Sequence, residues 1–168
     1  MDSLLRVAAG LGATFMIPAA SLAATAPRVV PDCAVSLPQG QANLHQFGGK
    51  VVYVDFWASW CVSCLASFPF MDQLRRELGP QGLQIVAINM DENPADARRF
   101  LSSHKASFPI ALGNNNQCAK QFGVNAMPST FFVDRNGKIR GVHAGFRPGE
   151  AAAIRTTLQN LLKEPRHL

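Results

Sequence analysis

The sequence predicts an α/β fold in which a mixed central sheet is covered by helices on both faces. Two observations support this prediction. Apolar, β-branched runs alternate with segments of helical periodicity, and a predicted hairpin followed by an amphipathic helix closes the chain. The chain has 168 residues, of which 48% are hydrophobic and 16% are charged. This length and composition suit a single globular domain with an ordinary core.

The charge balance argues against a nucleic-acid-binding protein. Net charge is +5, from 16 basic and 11 acidic residues. The basic residues are scattered, and no basic run carries interleaved aromatic residues. We interpret the surplus as solvated faces that keep the protein soluble, with acidic protein partners or anionic membrane as the alternative.

The N-terminus, residues 1–24, has the pattern of a secretory signal. Arg6 supplies a weakly positive start, residues 7–17 are apolar, and small residues at 21–24 offer a cleavage site. We therefore expect the protein to be exported.

The sequence of this segment is compatible both with cleavage and with retention as an anchor. Its uncharged stretch, residues 7–26, is long enough to span a bilayer as an uncleaved anchor, whereas its small residues and Pro18 favour cleavage. In both cases residues 25–33 form an arm or linker, and residues 34–168 are the predicted folded domain outside the cytoplasm.

Short elements precede the first long strand. Residues 34–37 and 43–47 are expected to flank a turn at residues 38–40. Residues 51–57 form an apolar, β-branched run bounded by glycines, which predicts a buried strand. Helical periodicity follows through residues 61–78, with a kink expected where a proline interrupts it.

Asp91 and Glu92 follow a second predicted strand, residues 83–90, and precede a helix that begins at Asn93. Carboxylates suit the positive end of a helix, so we interpret both residues as helix caps. A metal site is the alternative, but no further carboxylate or histidine lies at ligand spacing, and no metal site is predicted.

The remaining predicted elements complete the alternation and the closing hairpin. They are a strand at 108–112, a short helix at 114–122, strands at 130–133 and 138–143 joined by an Asn-Gly turn, and a final helix from 148.

Cys61 and Cys64 lie where the strand 51–57 passes into the first long helix. Unpaired N–H groups and the helix dipole at the helix N-terminus favour a thiolate at Cys61, which would lower its pKa and make it a nucleophile. Cys61 then attacks a substrate disulfide, and Cys64, one turn further on, resolves the mixed disulfide. Half of a zinc site or a purely structural pair are the alternatives.

Residues 55–64 read DFWASWCVSC, and residues 127–130 read MPST. Together these segments resemble thioredoxin-like proteins, and the fuller pattern is similar to the TlpA-type periplasmic thiol-disulfide oxidoreductases. The resemblance implies a thioredoxin fold with a short N-terminal extension that forms a hairpin. It also implies a central β-α insertion within residues 83–122.

The resemblance further implies how substrates bind. Pro128 would follow a cis peptide bond, and its loop would lie against the cysteine pair, so that Met127 offers backbone groups to an extended substrate segment. Trp60 would shape the docking surface, whereas Trp57 is expected in the core. An ordinary trans Pro128 at the start of a strand is the alternative.

Asp55 is the third catalytic residue that the resemblance implies. Its carboxylate would lie buried beneath the cysteine pair, with a raised pKa, and would exchange a proton with Cys64. An exposed strand residue is the alternative. Ala87 stands where thioredoxin typically has a lysine, so we expect the pKa of Asp55 to be raised further.

Cys33 and Cys118 remain. In an exported protein we expect them to form a structural disulfide, which would close a loop of roughly 85 residues and contribute about 4 kcal/mol in the chain-entropy model. Two buried free thiols or a second redox pair are the alternatives. No cofactor is expected beyond the redox-active disulfide Cys61–Cys64.

The leading hypothesis is a monomeric, exported reductase of cysteine pairs in other exported proteins. The resemblance implies clients in cytochrome c maturation or oxidase copper-site assembly, with electrons from a membrane thiol transporter. The dipeptide Val62-Ser63 departs from the family pattern, as do Leu65 and Ser67. The resemblance therefore does not determine how strongly the cysteine pair reduces its clients. A dithiol oxidase or isomerase of the same fold, and a metal carrier that binds through Cys61 and Cys64, are the rival hypotheses.

Overall fold

The computed structural model describes residues 28–112 and 115–165. The predicted signal or anchor, residues 1–24, lies outside the described residues. Within the described ranges, no helix has the length and apolar content needed to cross a membrane.

The N-terminal extension forms a two-stranded hairpin from β1 (Ala34–Leu37) and β2 (Gly40–Asn43), followed by a 3-10 helix at Leu44–Phe47. The sequence predicts Gly40 in the turn, but Pro38 and Gln39 form the whole turn. Gly40, with φ of +124°, already pairs with Leu37 as the first residue of β2. The prediction of an element at residues 43–47 was correct in place, but that element is a helical turn.

A mixed sheet forms the centre of the domain. In the described part of the chain its strand order is β5-β4-β3-β6-β7, with β3 parallel to β4 and antiparallel to β6. These strands are β3 (Val51–Trp57), β4 (Leu83–Asn89), β5 (Ile110–Ala111), β6 (Ser129–Val133) and β7 (Ile139–Ala144).

Helices cover both faces of this sheet. The helices are α1 (Val62–Leu78), α2 (Pro94–Ser103), α3 (Asn116–Phe122) and α4 (Ala151–Lys163). Buried side chains of α1, α2 and α4 cluster against one face, and those of α3 and the hairpin cluster against the other. The predicted α/β architecture with a mixed sheet is confirmed.

Strand β3 is buried along its whole length, because it is central in the sheet and covered on both sides. Cys61, at the start of α1, lies four residues after the last residue of β3. The strand therefore delivers the cysteine pair to the carboxyl edge of the sheet.

Candidate active site

Cys61 and Cys64 are bonded to each other at the N-terminus of α1. Cys61 is the N-cap residue, and its Sγ accepts a hydrogen bond of 3.2 Å from the backbone N–H of Cys64. The same N–H also donates to the Cys61 carbonyl at 3.1 Å. This shared donor at the helix N-terminus lies where it can stabilise a Cys61 thiolate after reduction. Cys61 is 6% exposed and Cys64 is fully buried, so a substrate disulfide reaches Cys61 first.

Exposed apolar side chains surround Cys61. Trp60, Val62 and Leu65 are 70%, 83% and 40% exposed, and we call these three residues the apolar rim. A groove beside Trp60 is lined in part by Phe100 of α2. Exposed apolar residues grouped around a reactive sulfur suit the docking of a protein segment.

The peptide bond between Met127 and Pro128 is cis. The Pro128 carbonyl accepts a hydrogen bond of 2.8 Å from the Gly145 N–H, and the Ser129 hydroxyl donates to the Ala126 carbonyl at 2.7 Å. Met127 is partly buried and packs against the hydrophobic clusters of both faces. The substrate-binding roles of Trp60, Met127 and Pro128 stay predictions.

Asp55 lies in the middle of β3 and is fully buried. Because side chains alternate along a strand, it faces the same side as Tyr53 and Trp57, which cluster with Cys64. Its cross-strand neighbour on β4 is Ala87, so that strand offers the carboxylate a methyl group and no positive charge.

The Asp55 carboxylate has one hydrogen-bonded oxygen. Its Oδ1 accepts a bond of 2.7 Å from the Thr130 hydroxyl, and its Oδ2 has no hydrogen-bond partner among the described residues. Burial raises the pKa of Asp55 to about 7, and the Thr130 hydrogen bond opposes that rise. A carboxyl group with this pKa can both accept and release a proton near neutral pH. Its catalytic role stays a prediction.

The structure corrects the interpretation of Asp91 as a helix cap. Asn93 caps α2, and its side chain accepts a hydrogen bond of 3.0 Å from the Ala95 N–H. Asp91 turns instead toward the active-site loop, where its Oδ1 accepts bonds of 3.0 Å from both the N–H and the hydroxyl of Ser59. This carboxylate therefore holds the residue that stands two positions before Cys61.

Asp91 belongs to a buried polar network. Its Oδ2 accepts a bond of 2.8 Å from the Asn89 side chain, and the Asn89 carbonyl accepts one of 2.9 Å from the Asn115 side chain. We call Ser59, Asn89, Asp91 and Asn115 the loop network. Sequence reasoning missed it, although polar residues directly after two neighbouring parallel strands are a usable signal, because such strand ends meet at one edge of a sheet.

Cys33 and Cys118 are bonded to each other, with their Cα atoms 5.3 Å apart. Both lie in the cluster on the face opposite to the active-site cysteines. The bond joins the residue before β1 to α3, which begins directly after Asn115 of the loop network.

The chain is similar in sequence to known proteins. The Redoxin family matches residues 22–159. The thiol-disulfide oxidoreductase ResA of Geobacillus thermodenitrificans is 32% identical over 116 residues, which cover 68% of this chain and 67% of that protein. Two further ResA proteins, of Bacillus thuringiensis and Bacillus cereus, match over 56% of their own length, so the chain spans little more than half of those relatives.

Solved structures agree. A protein from Chlorobium tepidum, assigned as a thiol:disulfide interchange protein DsbE, superposes with a TM-score of 0.78 at 39% identity, over 81% of this chain and 96% of that one. The exposed lipoprotein thioredoxin Etrx1 of Streptococcus pneumoniae superposes with a TM-score of 0.67 at 29% identity, over 77% of this chain and 99% of that one. The fold is thus the thioredoxin-like fold, with an added N-terminal hairpin. The chain belongs to the Redoxin family, as a thiol-disulfide oxidoreductase similar to the ResA and DsbE proteins.

Proposed function

We propose that this oxidoreductase is exported and reduces cysteine pairs in other exported proteins. The clients that the TlpA-type resemblance favours are the haem-attachment cysteines of apocytochrome c or copper-site cysteines of oxidase assembly factors. Electrons would return to Cys61 and Cys64 from a membrane thiol donor. The secretory pattern of residues 1–24 and the exposed lipoprotein among the similar structures support export.

One observation supports the reduction of clients over their oxidation. The surroundings of Cys61 stabilise its thiolate only modestly. A pair becomes strongly oxidising when the protein stabilises its reduced form. Between the two cysteines stand Val62 and Ser63, which bring neither a cation nor a histidine. Among the described residues, Cys61 Sγ has hydrogen-bond contacts with the Cys64 N–H at 3.2 Å and the Ser63 hydroxyl at 3.5 Å. Neutral donors stabilise a thiolate less than a charged neighbour does.

The equilibrium potential of the Cys61–Cys64 pair against glutathione tests the direction. It should be measured in the natural sequence and in a Cys33→Ser, Cys118→Ser variant that isolates the active pair. We expect a value near −270 mV, as in thioredoxin, whereas a value near −120 mV would identify an oxidase instead.

A further inference from the structure

Asp55 is connected to two hydroxyl groups on its own face of the sheet. Thr130 stands directly opposite Asp55 on β6, and its Oγ1 lies 2.7 Å from Asp55 Oδ1 and 3.3 Å from the phenolic oxygen of Tyr53. Tyr53 precedes Asp55 by two positions on β3, so both side chains point to the same side. All three residues are 2% exposed or less.

The direction of these hydrogen bonds follows from the number of protons. A hydroxyl has one proton, and an ionised carboxylate only accepts, so Thr130 donates to Asp55 and must accept from Tyr53. Burial, and then the charge of Asp55, raise the pKa of Tyr53, which keeps the phenol protonated as a donor. The chain of bonds therefore runs from the Tyr53 O–H to Thr130 Oγ1, and from the Thr130 O–H to Asp55 Oδ1.

We propose that Tyr53 and Thr130 are positioning residues for proton transfer between Cys64 and Asp55. Their hydroxyl chain occupies Oδ1 and fixes the plane of the carboxylate, so that Oδ2 is the atom that takes the proton. The proposal rests on the thiol-disulfide exchange of the proposed function, and specifically on resolution by Cys64, but not on the direction of electron flow.

The Cys64 thiol gives its proton to Asp55 Oδ2, and the resulting thiolate attacks Cys61 Sγ in the mixed disulfide. The bond between Cys61 and the client sulfur breaks, the client thiolate leaves with the electron pair, and the Cys61–Cys64 disulfide forms. The client is reduced and the cysteine pair is oxidised.

In the described part of the chain, no charged group contributes to the pKa shift of the Asp55 carboxyl. The β4 neighbour is Ala87, the buried residues of α1 include Cys64 as their one titratable group, and those of α4 are aliphatic. The described chain buries no lysine, arginine or histidine. The hydroxyl chain is thus the polar environment that the fold supplies to Asp55, and its removal should act directly on proton transfer.

The test follows the second step of oxidation by 5,5′-dithiobis(2-nitrobenzoic acid). With the Cys61–Cys64 pair reduced in the full chain, Cys61 attacks first at a rate that depends on reagent concentration. Cys64 then releases a second thiolate at a rate that does not. The pH dependence of this second phase reports the ionisation of the group that takes the Cys64 proton. The variants are Thr130→Val, Tyr53→Phe and Thr130→Ser.

We expect Thr130→Val to move the midpoint of this profile upward by about one pH unit, because the charged carboxylate loses a hydrogen bond. The second phase should then be about tenfold slower below the midpoint and unchanged well above it. Tyr53→Phe should shift the midpoint less, in the same direction. Thr130→Ser should restore the natural profile. Thr157→Val, which removes a hydroxyl that donates to the Ala153 carbonyl in α4, is the matched control and should have no effect.

A second measurement tests the proposal independently of the kinetics, which a substitution could also change by disturbing the packing. The ¹³C resonance of the Asp55 carboxyl, titrated in the oxidised protein, should show the same order of midpoints. A uniform slowing at every pH, an unmoved Asp55 titration in Thr130→Val, or a failure of Thr130→Ser to restore the profile would overturn the proposal. An oxidising equilibrium potential would refute the reductase function and leave this proposal standing.

Discussion

Asp55 places an ionisable group in a layer of aromatic and aliphatic side chains. The carboxylate is fully buried and has no positive partner on the neighbouring strand, where Ala87 stands. A charge in this environment costs folding free energy, since burial disfavours the ionised form. The raised pKa of about 7 is the measure of that cost.

Replacement of Asp55 by Asn should therefore change how stability depends on pH. In the folded protein Asp55 holds its proton up to about pH 7, whereas the ordinary value is 3.8. The natural protein should lose stability as pH rises between these values, because its unfolded state releases the proton first. The loss amounts to at most about 4 kcal/mol, and Asp55→Asn should not show it.

Urea unfolding of the oxidised protein at pH 4, 6 and 8 measures this difference. The free energy of unfolding of Asp55→Asn, relative to that of the natural protein, should increase steadily from pH 4 to pH 8. Parallel stability curves for the two proteins would show that Asp55 has an ordinary pKa.

Replacement of Cys64 by Ser should trap clients. The exposed fraction of Cys61 and the complete burial of Cys64 favour the prediction that the first cysteine attacks and the second resolves. We expect mixed disulfides between Cys61 and exported proteins, released by dithiothreitol, to accumulate with Cys64→Ser and to be absent with Cys61→Ser. Equal trapping by both variants would contradict this order.

At the scale of elements, the loop between β3 and α1 is held by residues that follow β4. Ser59 donates to Asp91, and Asn89 bridges Asp91 to Asn115. The two strands are parallel and adjacent, so their carboxyl ends deliver these groups to one place. Position and orientation of Trp60 and Cys61 thus depend on the loop network.

Replacement of Asp91 by Asn should loosen this loop. An amide in place of the carboxylate removes one acceptor and the charge, and a hydrogen bond to a charged group contributes about 1.5 to 3 kcal/mol. We expect the Ser59 amide to exchange its hydrogen about ten- to hundredfold faster.

Asp96→Asn is the matched control, because Asp96 lies in nearby α2 and pairs with an exposed Arg99 at 3.0 Å. Such a surface pair contributes little, so this variant should leave Ser59 exchange unchanged. Equal effects of the two substitutions would mean that Asp91 does not hold the loop.

Local patterns predicted most elements, and the failures have local causes. The strand 51–57 and the helix after Cys61 follow from apolar periodicity and agree with the structure. The role of Asp91 did not follow, because its position before a helix suggests a cap, and its true partner Ser59 lies 32 residues away. The Thr130 contacts with Asp55 and Tyr53 span 75 and 77 residues and require a strand pairing that periodicity does not contain.

At the scale of the whole molecule, the sheet separates two disulfides. Cys61–Cys64 lies in the cluster beneath α1 and α4, and Cys33–Cys118 lies in the cluster beneath α3 and the hairpin. The first closes a loop of 3 residues and the second a loop of 85. Their contributions to stability should therefore differ widely.

Loss of the Cys33–Cys118 bond should destabilise the protein more than loss of the Cys61–Cys64 bond. In the chain-entropy model a loop of this length contributes about 4 kcal/mol and the short loop about 1.5 kcal/mol. We expect Cys33→Ser, Cys118→Ser to lower the free energy of unfolding by the larger amount, and Cys61→Ser, Cys64→Ser, the matched control, by the smaller amount. Urea unfolding under oxidising conditions measures both, and equal losses would exclude a bracing role for Cys33–Cys118.

The two tryptophans differ in exposure, so intrinsic fluorescence can report on the binding of a client. Trp60 is 70% exposed in the apolar rim, whereas Trp57 is fully buried between Phe68 and Phe100. Their fluorescence should fall into two populations, a red-shifted one that acrylamide quenches and a blue-shifted one that it does not reach. A client that docks over Cys61 removes water from Trp60 alone, so its arrival should be visible as a blue shift of the quenchable population, without any attached dye.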